Sequence, residues 1–251
     1  EYGAPDDPLH APDWAKRLAA FETYRTEHLH ATDALGRLRA AVSDQCAARA
    51  TDAPGIYTLS VPTGGGKTYA SLRYALRHAA QYRKRRIFYL IPYNTILDQN
   101  AKDIRAALAD DPSILEHHSD VVKDGPEEQT AYRRLTERWD SDIILTSLVQ
   151  FLNACFSASN TDVRRLYRLS DAVLIFDEIQ ALPTHCKRLF EQAIQFLAGC
   201  CGSTVLLCTA TQPQLNLAPP PREMIPDCEA DFRGLRRVDY CAAPQPLHND
   251  E

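Results

Sequence analysis

Val61-Pro62-Thr63-Gly64-Gly65-Gly66-Lys67-Thr68 stands between the β-rich run Ile56-Tyr57-Thr58-Leu59-Ser60-Val61 and a stretch of helical periodicity from about Thr68 to Tyr82. Strand, glycine cluster and helix in that order is the context a phosphate-binding loop requires. Successive glycines let backbone N–H groups turn toward one anion, and the helix start adds its dipole. Lys67 would reach the β- and γ-phosphates, and the Thr68 hydroxyl would hold Mg²⁺. Thr63, Gly64, Gly65, Gly66, Lys67 and Thr68 are therefore the candidate nucleotide-binding residues, with ATP and Mg²⁺ as cofactors. The usual G-x-x-x-x-G-K-[ST] spacing wants glycine where Val61 stands. The competing reading is a glycine-rich turn that binds nothing.

Outward from this loop the same scheme repeats. Arg86–Ile91, Asp142–Thr146, Ala172–Asp177 and Thr204–Cys208 are short apolar runs, each followed by a polar break. Helical periodicity follows from about Thr95 to Leu108, up to about Phe156, and around 185–200. Five nearly continuous apolar strands alternating with helices predict an α/β fold with a mostly parallel sheet covered on both faces. Ligands on such sheets bind beyond the carboxyl ends of the strands, where the polar motifs fall here. Upstream, Leu18, Phe21, Leu29, Leu35, Leu38 and Val42 recur at helical spacing, with Thr32 or Asp33 as an N-cap.

Composition bounds the function. The 251 residues are 45% hydrophobic and 24% charged, ordinary globular usage, with no apolar run long enough to span a membrane. A net charge of −5 means that any nucleic acid must meet a local basic surface. The eight cysteines include no C-x-x-C pair, and no signal peptide precedes them, which predicts reduced thiols in a cytoplasmic protein.

Asp177-Glu178 ends one apolar strand. One carboxylate there can complete a Mg²⁺ shell and its neighbour can take a proton from the attacking water. Alone, such a pair is ordinarily a helix cap; beside a phosphate-binding loop it becomes the second half of one reaction. Thr209-Ala210-Thr211 ends the fifth strand, either as a plain turn or as a sensor between nucleotide and nucleic acid.

Taken together, PTGGGKT, IPYNTILDQ, LTSLVQFL, FDEIQALP and CTATQP occur in an order that resembles the motor of superfamily 2 helicases. More narrowly, the chain is similar to the CRISPR-associated helicase–nuclease of type I interference systems over roughly residues 33–240. VPTGGGKT is that family's ordinary form of the loop, and its D-E-x-Q motif matches Asp177, Glu178 and Gln180. The resemblance implies a RecA-like P-loop domain preceded by a short helical region. It implies that Lys67, Asp177, Glu178 and Gln180 are catalytic and that Thr68 and Asp177 hold Mg²⁺. It also implies that Thr209 and Thr211 couple nucleotide state to DNA. Pro92, Tyr93, Asn94, Thr95, Thr146, Ser147 and Gln150 match motifs that grip the nucleic-acid backbone, without reading bases.

Two departures qualify the resemblance. The family's nuclease needs an adjacent His-Asp pair, and none of the eight histidines precedes Asp. His117-His118 in an extended segment would point to opposite faces and so make a poor metal site. After Thr211 only 40 residues remain, too few for a second RecA-like lobe. The expected organisation is a linker and helical lead-in over 1–32, the ATP-binding lobe over 33–212 and a Pro-rich linker over 213–251. The expected function is the motor lobe of a single-stranded DNA translocase recruited to an RNA-guided CRISPR surveillance complex. A DEAD/DEAH-type RNA helicase lobe and a non-catalytic binding fragment are the alternatives.

Overall fold

The structure, a computed structural model, describes residues 11–92, 94–118, 125–211 and 215–225 of the chain. Its strands are β1 (Ile56–Ser60), β2 (Arg86–Ile91), β3 (Ile114–His117), β4 (Ile143–Ser147), β5 (Ala172–Phe176), β6 (Thr204–Thr209) and β7 (Arg222–Glu223). Its helices are α1 (Trp14–His28), α2 (Ala34–Ala48), α3 (Lys67–Tyr82), α4 (Asn94–Ala107), α5 (Pro126–Arg138), α6 (Leu148–Phe156), α7 (Asn160–Arg168) and α8 (Lys187–Cys200). The strands form one sheet in the order β3-β4-β2-β5-β6-β1-β7, with every pairing parallel. No helix among the described residues is long and apolar enough to cross a membrane.

Each central strand feeds two cores, which is why these runs are nearly continuous in apolar residues. From β2, Ile87, Tyr89 and Ile91 enter one core with α1 to α4, while Phe88 and Leu90 enter the other with α6 and α8. Period-two alternation puts successive side chains on opposite faces, so a strand buried on both shows no polar register.

The helical lead-in belongs to the first core. Trp14 is buried and its indole N–H donates to the Lys84 carbonyl at 2.6 Å. Arg17 reaches Asp111 at 2.8 Å and Asp142 at 2.6 Å, tying α1 to the loops that enter β3 and β4. Asp33 caps α2 by accepting from the Gly36 amide at 2.6 Å. α1 is thus packed into the same core as α2, α3 and α4, with no break at residue 32.

The expected linker beginning at residue 213 also differs. Leu217 packs in the second core, Met224 and Ile225 in the first, and β7 pairs with β1. The Glu223 carboxylate accepts from the Ser60 amide at 3.2 Å, the Ser60 hydroxyl at 2.7 Å and the Thr58 hydroxyl at 2.9 Å. A side chain thus supplies the acceptor that a third β7 residue would have offered, so two residues of strand suffice to close this edge. Residues 226–251 lie outside the described residues.

At the opposite edge, β3 is short and half polar. Its carbonyls at Ile114 and Glu116 accept from the Arg105 guanidinium and the Tyr132 hydroxyl, each at 2.9 Å.

Candidate nucleotide and nucleic-acid site

The loop after β1 is tied to the sheet before it turns: the Val61 amide donates to the Thr209 carbonyl at 3.1 Å. Gly64 and Gly66 both take φ of 84°, a conformation that L side chains rarely adopt, which is why glycine is needed at these positions. α3 begins directly at Lys67, so its first amides face the same space as the loop.

Lys67 is buried, with its ammonium 3.0 Å from Glu178 Oε1. Among the described residues the ammonium makes no hydrogen bond. A buried cation with unspent donors fits an anionic ligand such as a phosphate.

Asp177 follows β5 and is 4% exposed. Its Oδ2 accepts from the Tyr89 hydroxyl at 2.7 Å, and Asn100 of α4 lies 3.5 Å from the same oxygen. Burial raises its pKa; the Tyr89 hydrogen bond opposes that and the Glu178 charge adds to it. Burial and the Asp177 charge push the pKa of that tyrosine well up. Tyr89 and Asn100 were not foreseen. A tyrosine within an aliphatic strand was the available signal, since a buried phenol must find a partner.

Glu178 stands at φ 51°, left-handed for a residue with a side chain, a strained backbone at the centre of the site. Beyond it Gln180 bridges outward. Its amide N–H donates to Glu178 and its carbonyl accepts from Thr209 at 2.8 Å. Thr209 also contacts the Thr211 carbonyl and accepts from the Thr211 amide at 3.1 Å. Its one hydroxyl proton can serve Gln180 or Thr211, not both. Lys67, Glu178, Gln180, Thr209 and Thr211 therefore form a single polar chain.

These residues open on a cavity of about 820 Å³, walled by Thr63, Gly64, Gly66, Lys67, Thr68, Asp177, Glu178 and Gln180. Its far wall includes His28 and Leu29 at the end of α1, with His30 and Thr32 of the connection to α2. The volume suits a nucleotide. The Thr68 hydroxyl and Asp177 carboxylate are hard oxygen donors. No group of three His, Cys, Asp or Glu side chains among the described residues could hold a metal alone. Such a donor set fits a Mg²⁺ that leans on phosphate oxygens.

The motifs assigned to nucleic acid lie at the ends of β2 and β4. Pro92 is half-buried, Asn94 and Thr95 open α4, and Tyr93 lies outside the described residues. Thr146 is fully buried and its hydroxyl donates to the His117 carbonyl at 2.8 Å. Ser147 caps α6, accepting from the Gln150 amide, while the Gln150 side-chain carbonyl accepts from Arg165 at 3.1 Å. His117 and His118 do face opposite ways. His117 Nδ1 accepts from the Trp139 indole at 3.0 Å, and His118 Nε2 lies 3.3 Å from Asp98.

A family model described as DEAD/DEAH box helicase matches residues 44–218. A curated relative, the CRISPR-associated nuclease/helicase Cas3 of Haloferax volcanii, is 29% identical over 186 residues. That match covers 64% of this chain and 20% of the relative, so the chain spans about a fifth of that protein's length. The T. fusca Cas3-AMPPNP crystal structure superposes with a TM-score of 0.63 at 22% identity, covering 82% of this chain and 23% of that one. A chain of the CRISPR RNA-guided surveillance complex in its pre-nicking state gives 0.51 at 21% identity, covering 70% and 18%. The likeness to both solved structures is one of fold.

Proposed function

The chain belongs to the DEAD/DEAH box helicase family, and from that premise we propose that it is an ATP-binding motor lobe of a DNA translocase serving type I CRISPR interference. The observation that carries the nucleotide half is Lys67, buried with unspent donors beside Thr68, Asp177 and Glu178 in one cavity. The relationship to the Haloferax nuclease/helicase carries the CRISPR assignment. Related structures bear the names of ATP, ADP and AMPPNP complexes, which supports ATP as the nucleotide.

Lys67 would pass from Glu178 to the phosphates, neutralising charge as it develops on the transferring group. Relieved of that cation, Glu178 is placed to take a proton from water, and Asp177 with Thr68 would hold Mg²⁺. When bound, that ion polarises the phosphoryl oxygens. Gln180 touches both Glu178 and Thr209, so a shift of the Glu178 carboxylate is felt at the end of β6. Single-stranded DNA would run across the ends of β2 and β4, gripped at the starts of α4 and α6. Recruitment to an RNA-guided surveillance complex is proposed for the longer protein of which this lobe is the motor, in the cytoplasm.

A fluorescent ATP analogue titrated with Mg²⁺ tests the nucleotide assignment. The wild-type chain should bind and Lys67→Ala should lose most of that affinity; equal affinity would remove the site. Phosphate release with single-stranded DNA or RNA then tests the polymer. Stimulation by RNA alone would favour an RNA helicase lobe.

A further inference from the structure

Arg39, on α2 and 25 residues ahead of the glycines, touches the phosphate loop directly: its Nε donates to the Gly64 carbonyl at 2.8 Å. A Cβ placed on Gly66 would meet Arg39 Cγ at 3.1 Å and Arg39 Cβ at 3.3 Å, so its aliphatic stem lies against the loop. The Gly65 amide, at the other end of the same peptide unit, donates to the Pro62 carbonyl at 3.0 Å. Both ends of the Gly64–Gly65 peptide are thereby held, one by the loop's own turn and one by Arg39.

That peptide is the weak point of the loop. Between two glycines a peptide plane can rotate at little conformational cost. A rotated plane would turn a carbonyl oxygen toward the space where amides and Lys67 must meet an anion. Arg39 also lines the cavity beside Lys67, so its other guanidinium N–H groups add positive charge there. Arg39 is itself exposed, and a hydrogen bond so placed contributes little to folding. Its effect therefore falls on the loop's conformation more than on global stability.

We propose that Arg39 is a positioning residue for nucleotide binding, locking the Gly64–Gly65 peptide so that the loop is preorganised for phosphate. This rests on the nucleotide reading above and extends it to α2, a helix ahead of every motif that reading used. Because the lock acts on the loop, it serves any nucleotide whose β-phosphate the loop cradles, ATP and ADP alike.

The test uses Arg39→Met, which keeps an apolar stem without donors, and Arg39→Lys, which keeps a charged donor, in the 251-residue chain. Nucleotide affinity is measured for ATP and ADP analogues with Mg²⁺, and amide hydrogen exchange over residues 63–66 is measured without nucleotide. Arg39→Met should weaken both nucleotides by about tenfold, in parallel, and speed exchange in the loop by a similar factor. Arg39→Lys should recover part of both effects, and thermal midpoints should stay close to wild type. Unchanged affinity, or lost affinity with unchanged loop exchange, overturns the positioning role. If Arg39→Met does not fold, full wild-type behaviour of Arg39→Ala overturns the proposal in its place. Lys67→Ala run in parallel separates the two readings. If it binds like wild type, the nucleotide site itself fails; if it is crippled while Arg39→Met is not, only this inference fails.

Discussion

The carboxyl ends of the strands divide into two halves with different uses for polar groups. Around β1, β5 and β6, side chains hold one another in ways a ligand can exchange: Lys67 leans on Glu178 without a hydrogen bond, and Thr209 has two acceptors for one proton. Around β3 and β4, three of the nominated side chains are committed to structure. Thr146 holds the His117 carbonyl, Ser147 caps α6, and Gln150 accepts from Arg165. In the proposed function, exchangeable partners suit the half that would carry the chemistry, and the other half would serve as a rail whose backbone amides and helix starts meet a phosphate chain.

The sharpest way to break this contrast is Lys67→Ala. It should slow DNA-stimulated phosphate release by ~10²–10³-fold, about 3–4 kcal/mol of barrier, with the fold intact by circular dichroism. On the rail, His117 is the sensitive point. Burial, with the Arg165 charge, lowers its pKa to about 4 from 6.5, and it accepts from Trp139 as a neutral ring. The stability of that neutral ring is complete above the unfolded pKa and is lost as pH falls from 6.5 toward 4. The loss is about 3 kcal/mol for this group. Urea midpoints across that window should fall in wild type and fall less in His117→Asn.

Thr146→Val should cost roughly 1–2 kcal/mol of stability by removing the hydroxyl's hydrogen bond to the His117 carbonyl. Its affinity for single-stranded DNA by anisotropy should be unchanged; a large loss would place Thr146 among the contacts. The smallest effect on stability is expected at Asp177→Asn. A carboxylate whose pKa is raised by burial stabilises the fold at low pH and loses that contribution as pH rises through its folded pKa. Removing the charge should therefore raise stability at neutral pH by roughly 0.5–1 kcal/mol while abolishing hydrolysis. A lower melting temperature would show that the Tyr89 hydrogen bond outweighs the cost of burial.

What could be read in the sequence follows the same division. β2, β5 and β6 are legible because strands buried on both faces must be apolar throughout, and the loop is legible because Gly64 and Gly66 need glycine. β3 was hidden because Ile-Leu-Glu-His is short and half polar. α5 and α7 carry charge around much of their surface, and β7 is two residues completed by a carboxylate. Of the site, Lys67, Thr68, Asp177 and Glu178 line one cavity. Tyr89, Asn100 and Arg39 were missed because each works through a contact between elements distant in the chain.

The stoppered edge of the sheet has a further consequence. With the Ile114 and Glu116 carbonyls occupied by Arg105 and Tyr132, β3 offers an incoming strand fewer backbone acceptors. Parallel sheets form slowly and expose their edges while they do so, and an open edge is where chains seed aggregates. Arg105 and Tyr132 thus act as gatekeepers of solubility, and Arg105→Ala with Tyr132→Phe should turn a concentrated, well-folded solution cloudy without altering nucleotide binding.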